Sequence, residues 1–109
     1  MVWHNHHIDL PQSLASLVHV VAEGAKGTQS HYCHWQIIEW CAAFSVNPSA
    51  NNIDDPIVRI ADDIVVQWEL YVSTQYTLEQ LDRFTPADLV LPRGFFQNWQ
   101  QQLIKVTAP

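Results

Sequence analysis

Residues 54–75 read DDPIVRIADDIVVQWELYVSTQ, and their spacing constrains the chain more than any other stretch does. Ile57, Ile60, Ala61, Ile64, Trp68, Tyr71 and Val72 recur at the intervals of one helical face. Asp55 is placed to cap such a helix, and Pro56 suits its first position, where a missing N–H costs nothing. The β-branched content pulls towards strand. A consistent helical register over about six turns outweighs that pull. Val66 and Leu70 stand one turn apart on the opposite side, so this helix is apolar on two sides and needs a second cover.

The rest of the chain carries the same period. In residues 10–26, Leu10, Leu14, Leu17, Val18, Val21 and Ala25 share a face, with Asp9 as cap, Pro11 in the first turn and Gly27 as stop. The run HYCHWQIIEWCAAF, residues 31–44, contains no breaker and is expected to be helical to about Phe44, capped by Thr28 or Ser30. Residues 45–53, SVNPSANNI, form a loop. Thr77 and Gln80 make a capping-box pattern that opens a short helix, TLEQLDRF, and Thr85-Pro86 starts a further turn. A last helix from about Pro92 to Val106 buries Phe95, Phe96, Trp99, Leu103 and Val106, although Gly94 weakens its first turn.

These elements predict an all-α fold: a single-domain bundle of about four main helices plus short helical turns, spanning residues 1–109. Residues 1–8 are expected to form a flexible N-terminal arm, and the Pro-punctuated region 77–92 to wrap around the bundle rather than join it.

Charge removes several function classes. The net charge is −6, and the five cations, Lys26, Arg59, Arg83, Arg93 and Lys105, are scattered singly. Nucleic acids and anionic membranes are bound by clustered cations, so neither is an expected partner. No run approaches the roughly 18 apolar residues of a membrane span. The start, MVWHNHHIDL, lacks the basic and apolar regions of a signal peptide. The expected location is cytoplasmic, with Cys33 and Cys41 reduced.

HYCHWQIIEWCAAF is the most chemical-looking stretch. On a helix, adjacent Cys33 and His34 diverge by about 100°, and His34 and Cys41 stand about 10 Å apart along the axis. Cys33 and Cys41 would lie about 12 Å apart, beyond disulfide reach. Cys33, Ile37, Ile38, Cys41 and Phe44 instead make a broad core arc that includes His34, with Tyr32, Gln36 and Glu39 on the polar side. Trp35 and Trp40 diverge, one inward and one towards an edge. Only His31 and His34, three apart, could share a metal ion, with help from elsewhere such as His19 or Asp63. Separately, Val2-Trp3-His4 with a free amine has the nitrogen set for square-planar Cu(II) or Ni(II).

Asp62 and Asp63 in ADDIVVQWE resemble the acidic helices of all-α nucleotide pyrophosphohydrolases, whose carboxylates at i, i+3 or i+4 hold Mg²⁺. Here Asp55, Asp62 and Glu69 recur every seven residues, too far apart to share an ion, and Arg59 sits at salt-bridge spacing between the first two. The stripe reads as a solvated face, and no residue is carried over from that family. Phosphate-cradling, dinucleotide and serine-hydrolase signatures are absent, so no cofactor and no enzymatic activity are expected.

Two functional expectations follow. The first is a protein-interaction module, pairing with itself as a homodimer or with another protein through Val66 and Leu70. The second is a small-molecule or metal-binding protein whose pocket between helices uses His31, His34, Trp35 and Asp63.

Overall fold

Ser13 opens the first helix. Its hydroxyl accepts a hydrogen bond from the Ser16 N–H at 3.3 Å, satisfying a donor the helix cannot. The computed structural model describes residues 8–46, 55–83, 85 and 89–107. The expected N-terminal arm with its histidines lies almost wholly outside the described residues, as do most of the 45–53 loop and the turn after Pro86.

Among the described residues, five α-helices follow in order: α1 Leu14–Gly24, α2 His34–Val46, α3 Asp55–Gln75, α4 Leu78–Arg83 and α5 Arg93–Thr107, with a 3₁₀ turn at Gly27–Gln29. There is no strand among the described residues, and the all-α expectation is met. α2 lies along α3 and α1 along α5; α3 on α5 and α1 on α2 close the four-helix core. α4 buries no residue and touches the core through the half-buried Leu81.

Several boundaries differ from expectation. α1 begins at Leu14 because Ser13, not Asp9, supplies the cap, and Pro11 lies before the helix. Its buried stripe is Leu17, Val20, Val21 and Gly24, so Val18 faces solvent. α1 ends at Gly24, with Ala25 as its C-cap, before the expected stop at Gly27; Gly27, with φ of +64° in the left-handed region, instead opens the 3₁₀ turn. α2 begins at His34 rather than near Ser30. The Gln36 side chain reaches back to the Cys33 N–H at 3.0 Å, the arrangement of half a capping box, which fixes the start there and buries Gln36. At α4 both halves of the box form: Thr77 N–H donates to Gln80 Oε1 at 2.8 Å, and Gln80 N–H to Thr77 Oγ1 at 3.2 Å.

The core is apolar and aromatic. Ile57, Ile60, Ala61, Ile64 and Trp68 from α3 meet Ile37, Ile38, Cys41 and Phe44 from α2. Phe96, Trp99 and Leu103 of α5 pack below α1, each large side chain stabilising the fold by about 1.5–3 kcal/mol when fully buried. Val106, expected inside, is exposed at the end of α5. Trp40 packs inward on Phe44 and bonds the Leu10 carbonyl at 3.4 Å, whereas Trp35 lies at an edge, its ring 6.0 Å from Trp68.

Candidate functional site

The four residues expected to line a pocket do not come together: Trp35 lies beside Trp68, with ring centroids 6.0 Å apart, and the other three fall in separate places. His34 is the first residue of α2 and only 2% exposed. Its Nδ1 accepts a hydrogen bond from the Leu91 N–H at 2.9 Å, so the ring proton sits on Nε2, which donates to the Gly24 carbonyl at 3.1 Å. Burial pulls its pKa below the ordinary value while the Gly24 carbonyl works the other way. His34 is thus a neutral brace joining the end of α1, the start of α2 and the approach to α5. With both nitrogens engaged by backbone, it has no lone pair for a metal.

Phe96 lies 4.5 Å from the His34 ring, centroid to centroid. The same Phe96 ring packs directly on Gly24, where a Cβ would overlap it. Only a glycine lets α5 approach α1 this closely.

His31 precedes α2, so the helical three-residue chelate expected with His34 does not form. Its ring is 78% exposed, and its Nδ1 and backbone N–H lie 2.9 and 2.8 Å from the same oxygen of Glu23. Glu23 escaped the sequence reading, although a carboxylate three residues beyond Val20 and beside Gly24 falls on the buried stripe of α1. Burial alone would raise its pKa. The His31 N–H, the Lys26 ammonium and the His31 ring prevail and lower it to about 2. Among the described residues, no three His, Cys, Asp or Glu side chains gather as a metal site.

Burial also pushes both thiols up; for Cys33 the N–H groups of Gln36 and Trp35 only partly oppose it. Neither is a ready nucleophile.

Asp63 belongs to a different neighbourhood. Its Oδ2 accepts the Trp99 indole N–H at 2.9 Å, and its Oδ1 the Gln67 amide at 3.4 Å. The rings of Trp99 and Phe96 stand between it and His34. Asp63, Gln67, Gly94, Phe95, Asn98 and Trp99 line one end of a trough between α3 and α5. Gln67 and Phe95 continue it to Leu70, Tyr71 and Thr74. Asp63, expected as a ligand contact, and Leu70, expected as an interface residue, therefore meet along one groove. Val66 stands one turn from Leu70, outside the trough lining and 42% exposed.

No family model, no curated protein and no solved structure matches this chain.

Proposed function

We propose that this protein is a protein-interaction module whose contact surface is the outer face of α3 at Val66 and Leu70, with a second copy of the chain as the partner. The supporting observation is the exposure of those two side chains, 42% and 52%, one turn apart on the helix that otherwise buries Ile64 and Trp68. Single exposed apolar residues are ordinary. This pair is contiguous, and Leu70 carries it onto the half-buried Tyr71 and Phe95, which widens the apolar area.

Sedimentation velocity over a micromolar-to-millimolar series tests the reading. The expected result is a concentration-dependent dimer that the double variant Val66→Asp, Leu70→Asp abolishes, at a stability cost within about 0.5 kcal/mol, as for surface changes generally. Val18 and Ile104 border a smaller apolar groove between α1 and α5 and provide the control pair. A monomer throughout, or a dimer lost on changing Val18 and Ile104 instead, would overturn the assignment.

A further inference from the structure

We propose that the α3–α5 trough is a binding site for an organic cation, an alkylammonium or alkylguanidinium group seated against Asp63. It relocates the ligand pocket from the histidines to the Asp63 end of the trough, while the Leu70 and Tyr71 end borders the self-association surface proposed above.

The charge at Asp63 is held ready. Both groups that orient its carboxylate, the Trp99 indole and the Gln67 amide, are neutral donors, so its negative charge is not cancelled. A carboxylate offers about four acceptor sites, and two donors leave capacity facing the trough it lines. The ion pairs among the described residues both belong to Glu23, and none reaches Asp63. Arg93, the cation nearest in sequence to the trough wall, extends instead to Gly27, where its Nη2 would lie 3.6 Å from an added Cβ.

The walls suit the rest of a cation. Phe95 is fixed edge-to-face between Tyr71, at 5.7 Å, and Trp99, at 6.0 Å. Aromatic faces attract ammonium and guanidinium groups through the ring quadrupole. Asn98, Gln67 and Thr74 add neutral oxygens for remaining N–H groups. An anion would be repelled by Asp63, and a wholly apolar ligand would strip water from the carboxylate without replacing it. The two parts of the trough, joined at Gln67 and Phe95, are open grooves of about 280 and 310 Å³, room enough for a head group on a short stem.

Gly94 is the third observation. It is the second residue of α5 and lines the trough beside Asp63. Unlike Gly27 it has no positive φ, and a Cβ there would meet nothing within 4 Å. The fold does not require glycine at this position. Its effect is to leave the trough wall open beside Asp63.

The Trp99 indole N–H, bonded to Asp63, is the natural reporter. The full chain, labelled with ¹⁵N, is titrated with n-butylguanidinium, with the neutral isostere n-butylurea, and with Nα-acetyl-arginine methylamide. The expected result is a saturable shift of the Trp99 indole and the Phe95 and Asn98 amides with the guanidinium, weakened by salt. Affinity falls at least tenfold for the urea, for Asp63→Asn and for Gly94→Leu. The Asn variant can still accept the indole N–H. If it fails to fold, Gly94→Leu carries the test, because it blocks the trough without touching the carboxylate. Binding of the blocked arginine as tightly as the free guanidinium identifies a protein side chain as the source; tenfold weaker binding identifies a free small molecule. No saturable shift, or equal binding by the urea or by both variants, would overturn the proposal. Asp63→Asn should leave the sedimentation behaviour unchanged, so that failure of cation binding is distinguishable from failure of the Val66–Leu70 contact.

Discussion

His34 accepts a hydrogen bond from the Leu91 amide at 2.9 Å, across 57 residues of chain, and the same ring donates to the Gly24 carbonyl at 3.1 Å. Protonating Nδ1 would set one N–H against another, and the groups packed on the ring, Gly24, Leu91 and Phe96, bring no carboxylate to offset the charge. Burial, with no nearby carboxylate to offset it, depresses the native pKa from the ordinary 6.5. Below 6.5 the unfolded chain takes up a proton that the native state refuses. The contribution of His34 is fully present above that pH and is lost as the pH falls towards the lower native value. Urea titrations should show stability declining by up to about 1.4 kcal/mol per pH unit in that window. His34→Gln, which can serve both backbone partners but cannot gain a proton, should flatten the slope. An unchanged slope would assign the pH dependence to another group.

Glu23 behaves in the opposite pH range. Its native pKa is about 2 against an ordinary 4.5, so its contribution is present above 4.5 and disappears as the pH drops towards 2. Glu23→Gln should cost about 1–3 kcal/mol at neutral pH, the value of charged hydrogen bonds to a buried acceptor. The difference from the parent should close on acidification through that range, as read by denaturant midpoints. A gap that persists undiminished below pH 2 would show that shape, rather than charge, makes Glu23 stabilising.

Gly24 and Phe96 should prove strongly coupled. Gly24→Ala places a methyl group against the Phe96 ring and should destabilise by about 1–3 kcal/mol, as overpacking does. In the Phe96→Leu background the same change should cost much less, because a smaller side chain leaves room. A double-mutant cycle measures this; strict additivity would mean that α1 and α5 simply shift apart.

Thr77→Ala removes the hydroxyl that caps α4 and should destabilise that helix by about 1 kcal/mol. Since α4 buries no residue, the loss should remain local. Hydrogen exchange should speed up several-fold in the amides of 78–83 while global stability hardly changes. Slower global refolding or a large loss of stability would show that α4 is coupled to the bundle.

The long-range pattern was legible where the helical period was uninterrupted. The buried face of α3 and the paired caps of α4 are read directly from Ile57 to Val72 and from Thr77 and Gln80. Misreadings arose where a side chain outside the period decides the outcome. Nothing in HYCHWQIIEWCAAF breaks a helix. The true start depends on Gln36 reaching back to Cys33, with a cysteine where a capping box carries serine or threonine. That three-residue shift separates His31 from His34. At the candidate site, Asp63 stands out in the sequence as a carboxylate and Leu70 as an apolar residue on the outer side of α3. Their meeting depends on how α5 crosses α3, which a single sequence does not encode as a local pattern.

After Tyr76 the chain rests on the core only through the half-buried Leu81 of α4, and it next buries side chains at Leu89 and Leu91. The brace at His34 secures the re-entry from the far side, independently of α4. The excursion is thus a natural splice point. New chain ends or a reporter domain inserted within α4 would leave the contacts that define the bundle joined, making this segment the place where length is free to vary.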